Sequence, residues 1–324
     1  MSDPATAQTT RKLIVVFGAT GKQGGSVIAH LLPLGQYRLR GITRDTSKGA
    51  SRALEAQGVE MVSADMDDAS TLNKALDGAY GVFAVTDYWA TMDGPREIKQ
   101  GKNMVDASKV AGVEHLVLST LMSPKKFTSG ALSRIEHFDS KAEVASYALS
   151  SGVPTTLYLA GFYMSNIPGQ MFRLDPSSNA WVFALPIETD AQIPLIDIEA
   201  DTGNYVSSIF ARRDAMLGQS VYGSVKYYTP LEIVQGFKEI YPVAGAGDKA
   251  RFVTIPEEAF RGAMVGMGLP EKAAEELTEN MLLLNKKWGY FDGKDLGASN
   301  KILDKPAKTW EEYIRTAPAF AGLT

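Results

Sequence analysis

Short apolar runs alternate with stretches of helical periodicity along the first half of the chain. Runs of this length, rich in aliphatic and aromatic residues, are typical of strands that are buried on both faces. The runs are Leu13–Gly18, Tyr37–Arg44, Val59–Asp65, Ala79–Asp87, Val113–Ser119 and Thr155–Tyr163. Strands that alternate with helices form parallel βαβ units. The sequence therefore predicts an α/β fold with a doubly wound parallel sheet of the Rossmann type.

The alternation weakens in the second half of the chain, where most segments have helical periodicity. We expect a smaller, mostly helical domain at residues 167–324, folded over the edge of the sheet where the strands end. The Rossmann domain is expected at residues 12–166 with a returning segment near 192–213, and residues 1–11 are expected to be a disordered lead-in. The segment DPSSN at 175–179 is interpreted as part of a mobile loop or lid.

Composition excludes several classes of protein. The chain has 324 residues, a formal net charge of −4 and no cysteine. Nucleic-acid-binding proteins more often carry a basic excess, so we expect no direct contact with DNA or RNA. The lack of cysteine excludes disulfides and cysteine nucleophiles. His30 and His115 lack an H-E-x-x-H context, so no metal site is expected, and the lack of a G-x-S-x-G elbow argues against an α/β-hydrolase.

The segment MSDPATAQTTRK at the N-terminus has no apolar region of the kind found in secretory signals. No apolar run of the chain approaches the roughly 18 residues that a membrane-spanning helix needs. We therefore expect a cytoplasmic protein without a membrane partner, and a nuclear location is left open.

A glycine-rich loop follows the first predicted strand. Gly18, Gly21 and Gly24 form a G-x-x-G-x-x-G pattern between that strand and a predicted helix. In such loops the glycines allow a tight turn, the approach of a pyrophosphate to the backbone and the packing of helix on strand. The unpaired N–H groups at the start of the helix attract phosphates. The loop predicts a dinucleotide site.

The end of the second predicted strand bears on which dinucleotide is bound. An NAD site usually has an acidic residue here, whereas this segment, TRDTSK, contains Arg44 and Lys48 beside Asp45. A guanidinium can bind a 2′-phosphate with two parallel hydrogen bonds, so the pattern favours NADP(H). Asp45 keeps NAD open, and a solvated basic loop without a ligand is the remaining alternative.

Seven segments together resemble one known family. They are VVFGATGKQGGSV, TRDTSK, SADMDD, VTDYW, IKQGKNMVDASK, HFDSKAEV and LAGFYMSN. In type and order they resemble the NmrA-like family, a branch of the atypical short-chain dehydrogenases/reductases, and within it the vertebrate NADPH redox sensors. The likeness covers most of the chain. It is more specific than the glycine loop alone, because TDYW and HFDSK are not general features of dinucleotide-binding folds.

The resemblance implies a set of contacts with NADP(H). In chain order these contacts are the pyrophosphate loop, the 2′-phosphate loop, the adenine, the riboses and the cover of the nicotinamide. The implied residues are Gly18, Ala19, Thr20, Gly21, Lys22, Gln23, Arg44, Asp45, Thr46, Ser47, Lys48, Asp65, Met66, Thr86, Asp87, Tyr88, Lys99, Lys141, Tyr163, Met164, Ser165 and Asn166. All of them except the two lysines at 99 and 141 lie at carboxyl ends of predicted strands, where open α/β sheets bind ligands.

The segment HFDSK raises the question of catalysis. Typical short-chain reductases carry a catalytic tyrosine four residues before the lysine, and here His137 stands four residues before Lys141. Lys141 is either a clamp for the nicotinamide ribose or itself an acid–base group, as a lysine here is thought to be in the related isoflavone reductases. His137 is either the proton donor or a helix-surface residue without a role. Ser119 matches the serine that polarises a carbonyl in short-chain reductases.

Two functions are compatible with these features. One is an oxidoreductase that reduces a small carbonyl, enone, imine or quinone compound with NADPH. The other is a non-catalytic sensor of NADPH and NADP⁺ that regulates a protein partner. The Ser119–Lys141 pair favours the oxidoreductase. A homodimer is left open.

Overall fold

The structure is a computed structural model, and it describes residues 11–324. The lead-in expected at residues 1–11 lies, apart from Arg11, outside this range. The strands are β1 (Lys12–Val16), β2 (Tyr37–Thr43), β3 (Glu60–Ser63), β4 (Ala79–Ala84), β5 (His115–Thr120), β6 (Thr155–Ala160), β7 (Phe162–Tyr163), β8 (Phe172–Asp175), β9 (Ala180–Leu185), β10 (Ile193–Ile196), β11 (Ser220–Gly223), β12 (Lys226–Tyr228) and β13 (Ala250–Thr254).

Helices follow most of these strands. They are α1 (Lys22–Leu31), α2 (Gly49–Glu55), α3 (Ala69–Ala75), α4 (Gly94–Val110), α5 (Pro124–Phe127), α6 (Glu136–Ser150), α7 (Ile198–Ala211), α8 (Arg213–Met216), α9 (Pro230–Ile240), α10 (Glu257–Gly266), α11 (Glu271–Leu282), α12 (Gly297–Lys301) and α13 (Trp310–Ile314). Short 3₁₀ turns lie at Tyr88–Ala90 and Met164–Asn166, after the fourth and seventh strands.

The central sheet has seven strands in the order β3-β2-β1-β4-β5-β6-β11, and every neighbouring pair is parallel. The predicted α/β fold with a doubly wound parallel sheet is confirmed. The chain order of the strands reverses beside β1, which pairs with β2 on one side and β4 on the other. In open sheets a crevice forms beyond the strand ends at such a reversal, and ligands bind in it.

Helices cover the sheet on both faces. Alternate residues of β1 enter two separate cores: Ile14 and Val16 pack under α1 and α7, whereas Leu13 and Val15 pack under α3, α4 and α6. This arrangement explains why the last four positions of the strand are all apolar. The helices α1 and α7 approach closely, and the Gly203 N–H donates to Ser26 Oγ at 2.9 Å. Residues 198–211 thus return to the sheet, and the unpredicted strand β11 extends it.

Beyond the central sheet the chain forms helices and two small sheets, β12-β10-β7 and β13-β9-β8. The helices predicted in this half are present. The strand β10 lies in the returning segment, where the sequence PLIDI favours a strand, and β7 lies in the sixth predicted run. The other strands of the two small sheets were missed because they are only three to six residues long. A third core, rich in aromatic side chains such as Phe172, Phe237 and Trp310, joins these elements. The division into domains at residue 166 stays a prediction.

The interpretation of residues 175–179 as a mobile loop or lid is wrong. This segment is the turn of the antiparallel β8–β9 hairpin. The carboxylate of Asp175 accepts hydrogen bonds from the Ser177 N–H at 3.0 Å and from the Ser178 hydroxyl at 2.6 Å, which stabilise the turn.

Candidate functional site

Two adjoining cavities lie beyond the carboxyl ends of the central strands. The first, called here the glycine-loop cleft, has a volume of about 400 Å³. The residues implied by the resemblance that line it are Gly18, Thr20, Gly21, Lys22, Gln23, Arg44, Asp65, Met66, Thr86, Asp87 and Tyr163. It lies where β1, β2, β3 and β4 end, at the reversal of strand order.

The glycine loop has the backbone that the sequence pattern requires. Gly18 adopts a φ of 61°, in the left-handed region that favours glycine. A Cβ atom at Gly24 would overlap the backbone of Gly18, so only glycine allows this packing of α1 on β1. Gly21 precedes α1, and no side chain caps the first N–H groups of that helix. These groups can therefore bind an anion in the cleft.

The loop after β2 directs its charged groups in different ways. Arg44 lines the cleft, and no ion pair within residues 11–324 involves its guanidinium. The carboxylate of Asp45 instead accepts hydrogen bonds from the N–H and hydroxyl of Ser47, at 2.9 and 2.6 Å. These bonds hold the pKa of Asp45 below its usual range. Asp45, Thr46, Ser47 and Lys48 do not line the cleft.

The far end of the cleft lies between β3 and α4. Arg96 and Gln100 line it and both bind Asp67 Oδ2, at 2.7 and 3.0 Å. Lys99 lies on the exposed side of α4 and does not line the cleft. The buried face of this helix contains Glu97 and Gly101. The implied contact of Lys99 with the cofactor stays a prediction.

The second cavity, called here the inner cavity, has a volume of about 320 Å³. Gln23, Thr86, Asp87 and Tyr163 line both cavities, so the two adjoin along these side chains. The three candidate catalytic residues all line the inner cavity, as do Tyr88 and Asn166. A volume of this size fits a small organic molecule, because such sites usually measure roughly 300–1,000 Å³.

Lys141 is held at the boundary of the two cavities by a buried acid. Its ammonium forms an ion pair with Glu97 and lies 3.1 Å from the hydroxyl of Thr86. The Glu97 carboxylate, which is 1% exposed, also accepts hydrogen bonds from the hydroxyls of Thr86, at 2.6 Å, and Ser140. These contacts fix the position of the lysine ammonium beside Thr86, which faces both cavities.

His137 is not the helix-surface residue that one alternative proposed, since it is only 9% exposed. Its Nδ1 lies 2.5 Å from Glu276 Oε1, and its backbone N–H donates to the same oxygen at 2.8 Å. Burial lowers the pKa of His137 below its usual range, although Glu276 opposes the effect. Burial alone would raise the pKa of Glu276, but hydrogen bonds from His137 and Tyr88 outweigh it and lower that pKa. The pair is therefore a neutral imidazole and a carboxylate at neutral pH.

The pair lies among aromatic rings. The imidazole of His137 is 5.0 Å from Trp89, 4.8 Å from Phe138 and 5.8 Å from Tyr88, between ring centroids. Asn280, from α11, also lines the inner cavity and is 6% exposed. Its Nδ2 is buried and has no hydrogen-bond partner within residues 11–324. A buried donor of this kind usually has a partner, so a ligand atom is the natural one.

A chain of hydrogen bonds connects the remaining candidates. The hydroxyl of Ser119 donates to Gln23 Oε1 at 2.8 Å, and Gln23 Nε2 donates to the Tyr163 hydroxyl at 2.9 Å. Burial raises the pKa of Tyr163, so its phenol stays protonated near neutral pH. Ser119 thus lines the inner cavity, and its hydrogen bond connects it to Gln23, which follows the glycine loop and lines both cavities.

Four further implied contacts have other positions. Tyr88 lines the inner cavity instead of the cleft, and its hydroxyl lies 2.8 Å from Glu276. Ala19 and Met164 are buried in the hydrophobic cores and line neither cavity. Ser165 is outside both cavities, although its hydroxyl accepts a hydrogen bond from Lys22 at 3.1 Å. The first three residues follow buried strands, and the strand pattern does not distinguish side chains that face the cleft from those that face the core.

Sequence reasoning missed Glu97, Glu276 and Asn280. Glu97 could have been found, since it precedes Gly101, Met104, Val105 and Ser108 on one face of α4. Glu276 and Asn280 share a face of α11, but nothing in the sequence indicated that this helix packs near His137, 139 residues earlier. Within residues 11–324, no three His, Asp or Glu side chains come together in a way that could hold a metal ion. None of the helices in the same range is long and apolar enough to span a membrane.

Comparisons with solved structures support the fold. NmrA, a negative transcriptional regulator in complex with NADP, superposes with a TM-score of 0.80 at 21% identity, over 94% of this chain and 95% of NmrA. The NADPH-dependent quinone oxidoreductase QOR2 of Escherichia coli, complexed with NADPH, superposes with a TM-score of 0.72 at 21% identity, over 93% of this chain and 98% of QOR2. At these identities the likeness concerns the fold.

Sequence comparison gives the family. A model described as the NmrA-like family matches residues 10–314. An Aspergillus flavus protein, described as the NmrA-like family domain-containing oxidoreductase lnaB, is 32% identical over 260 residues that cover 76% of each chain. The resemblance seen in the seven motifs is confirmed, and the chain belongs to the NmrA-like family.

Proposed function

We propose that the chain binds NADP(H) in the glycine-loop cleft and reduces a small organic molecule that binds in the inner cavity. The observation that carries the proposal is that the two cavities adjoin and share the lining residues Gln23, Thr86, Asp87 and Tyr163, so a ligand in one would lie beside a ligand in the other. A protein that only sensed the cofactor would need the cleft but not a second, partly apolar cavity beside it. The description of the Aspergillus flavus relative as an oxidoreductase supports the same reading.

The cleft fits a dinucleotide. The absence of Cβ atoms at Gly18 and Gly24 leaves backbone close to the cleft, and the uncapped start of α1 offers N–H groups to a pyrophosphate. Asp65 and Met66 line the end of the cleft where an adenine would lie. NmrA and QOR2, which have the same fold, were solved with NADP and NADPH.

The preference for NADP(H) over NAD(H) rests on the loop after β2. Arg44 lines the cleft, and no carboxylate in residues 11–324 forms an ion pair with it. Asp45, the residue that kept NAD open, binds Ser47 and does not line the cleft. A guanidinium in this place can bind the 2′-phosphate, whereas the acidic residue of this loop is directed away from the cleft.

Bound NADPH would supply a hydride to the substrate. Lys141, held by Glu97 beside Thr86, would bind the ribose next to the nicotinamide, as the resemblance implies. Ser119 and Tyr163, joined through Gln23, would shape the wall between cofactor and substrate. The aromatic side chains of the inner cavity would exclude water from the reacting atoms.

Two measurements test the proposal. Calorimetric titration should show NADPH binding, with NADH weaker by about ten- to a hundredfold. NADPH consumption, followed at the absorbance band of the reduced nicotinamide, should then occur with at least one member of a panel of ketones, enones, imines and quinones. If NADPH binds but no member of the panel is reduced, the chain is a cofactor sensor, as the sequence allowed. If NADPH does not bind, both readings fail.

A further inference from the structure

A buried carboxylate behind the wall of the inner cavity, that of Glu276, has no permanent counter-charge. Two nearby acids have cationic partners: Glu97 pairs with Lys141, and Glu136 pairs with Lys272 at 2.7 Å. Glu276, by contrast, forms an ion pair within residues 11–324 only with His137. Because that imidazole is neutral at neutral pH, Glu276 and His137 together carry a charge of about −1.

The imidazole presents this charge to the cavity. Nδ1 of His137 donates to Glu276, which leaves Nε2 as a hydrogen-bond acceptor. In the described part of the chain Nε2 has no hydrogen-bond partner, and it is not sealed from solvent. The carboxylate behind the ring strengthens the attraction of Nε2 for a proton or a cationic donor. This nitrogen offers no hydrogen to a neutral carbonyl oxygen, although the ammonium of Lys141 and the amide of Asn280 line the same cavity.

The cavity also contains a donor that needs an acceptor. Glu276 and Asn280 are four residues apart and so share one face of α11. The buried Nδ2 of Asn280 has no partner in residues 11–324, and it lies in the wall of the cavity. A ligand that satisfies both groups must offer a cationic N–H to His137 and an oxygen acceptor to Asn280.

We propose that the substrate is a small imine bound as its iminium ion, with the N–H donating to His137 Nε2 and a substrate oxygen accepting from Asn280. This inference rests on the proposed NADPH-dependent reduction. The aromatic rings of Trp89, Phe138, Phe162 and Tyr290 line the same cavity, and the faces of such rings attract cations. Glu276 acts through His137 and is therefore a positioning residue.

The reaction balances without a further reagent. The iminium carbon accepts a hydride from NADPH, which forms a C–H bond, and the π-electron pair of the C=N bond moves to nitrogen. The products are a neutral amine and NADP⁺. Before hydride transfer, one proton is shared between the substrate nitrogen and His137 Nε2. When it lies on the substrate, the complex is an iminium ion with a neutral imidazole. When it lies on His137, the complex is a neutral imine with an imidazolium ion.

Binding of unreactive bicyclic compounds tests the charge preference directly. Calorimetry should compare the dimethyl-tetrahydroisoquinolinium cation with neutral tetralin, with and without NADP⁺. The cation should bind at least about tenfold more tightly, as expected for a charge beside aromatic rings and a buried carboxylate. Glu276→Gln, which keeps the side-chain shape, should remove this difference. Glu275→Gln should retain it, because that neighbouring carboxylate pairs with Arg134.

Activity tests the substrate class. Dihydroisoquinoline should be reduced at a kcat/KM at least about tenfold above that of tetralone or a naphthoquinone. For the protonatable imine, kcat/KM should fall as pH rises and the shared proton is lost. Glu276→Gln should move that fall to lower pH, because the carboxylate that stabilises the positive charge is gone. The N-methyl iminium ion, which cannot lose a proton, should show no such fall in wild type.

Asn280→Leu tests the second anchor. It should lower kcat/KM for a dihydroisoquinoline that carries a carboxamide more than kcat/KM for the unsubstituted ring. Equal losses for the two substrates would overturn the assignment of Asn280 as an anchor.

The outcomes separate the two proposals. Equal binding of cation and tetralin to wild type would overturn the iminium assignment, even if Glu276→Gln fails to fold. Faster reduction of tetralone or naphthoquinone would also overturn it, while the proposed reductase function would stand. Failure to bind NADPH would overturn the reductase, and the titration without NADP⁺ would still decide whether the cavity selects cations.

Discussion

The glycine-loop cleft is built from short segments that each follow a strand, whereas the inner cavity depends on contacts between helices far apart in the chain. In the cleft, Gly18, Arg44 and Asp65 each lie within a few residues of the end of a strand. In the inner cavity, His137 of α6 binds Glu276 of α11, 139 residues later. The sheet alone positions the cleft, but the second half of the chain must fold before the cavity exists.

The two regions also differ in charge. The cleft presents uncapped N–H groups and the guanidinium of Arg44, which suit phosphates. The inner cavity presents neutral His137 backed by the carboxylate of Glu276, which suits a cation. Thr86 lines both regions: the cleft on one side of it favours anions, and the inner cavity on the other side favours cations. A cofactor and a substrate of opposite charge would be sorted between the two by electrostatics.

The largest expected effect concerns the ion pair on the boundary. Lys141→Met leaves Glu97, which is 1% exposed, without its cation, and should lower the free energy of unfolding by about 3–5 kcal/mol. The double variant Glu97→Gln with Lys141→Met should recover most of that loss. If Lys141 also binds the cofactor or transfers a proton, the turnover of the double variant should remain about 10²–10⁴-fold below that of wild type.

Chemical denaturation and NADPH consumption measure the two quantities separately. Lys109→Met is the matched control, because it removes an exposed lysine from the last turn of α4, away from both cavities, and should change neither. Wild-type turnover in a stable double variant would mean that Lys141 only neutralises Glu97. The ion pair would then stabilise the fold without taking part in cofactor binding or catalysis.

The next effect concerns the cleft alone. Gly24→Ala places a Cβ atom inside the backbone of Gly18 and should displace the loop, with a loss of about 10²-fold in NADPH affinity. Gly262→Ala is the matched control. It lies in the exposed part of α10 with nothing within 4 Å, and should instead stabilise the protein by up to about 1 kcal/mol. Calorimetry would contradict the loop assignment if Gly24→Ala bound NADPH as tightly as wild type.

The six predicted strands of the central sheet all form, because each lies in a short run rich in apolar residues that is followed by a helical segment or a loop. Most strands of the second half were missed for a physical reason. Their three to six residues carry too little periodicity, and tertiary contacts such as those of Phe172 and Phe237 decide their conformation. The turn at Asp175 likewise has the composition of a mobile loop but closes a hairpin.

The candidate site divides in the same way. The segments at Gly18, Arg44, Asp65 and Thr86 could be placed from strand ends alone, and the structure brings them together around one cleft. The burial of His137 could not be predicted, because it depends on the packing of α11, and nothing in the sequence indicates that this helix lies near His137. A histidine on a helix with few apolar neighbours looks exposed until the partner helix is known.

Cofactor choice tests a single residue of the cleft. Arg44→Ala should weaken NADPH binding by about ten- to a hundredfold, the cost of a charge-assisted phosphate contact, and leave NADH binding nearly unchanged. Lys48→Ala is the control: Lys48 is exposed and does not line the cleft, so its loss should change either affinity less than about threefold. Equal losses in both variants on titration would show that the whole basic loop closes on the cofactor.

The smallest expected effect concerns Ser119, which lies between the two regions. Ser119→Ala removes the hydrogen bond to Gln23 Oε1 and should loosen the link to Tyr163. One such bond contributes about 0.5–1.5 kcal/mol, so KM for NADPH should rise less than roughly tenfold and kcat should stay within about threefold of wild type.

Thr120→Val is the control, since its hydroxyl binds the Lys141 carbonyl at 2.9 Å instead of the wall residue Gln23. A drop of about 10²-fold in kcat for Ser119→Ala, with KM unchanged, would mean that the serine contacts the reacting atoms. The wall between cleft and cavity would then be part of the catalytic machinery, and the inner cavity would contain a donor suited to a carbonyl substrate beside the acceptor suited to an iminium.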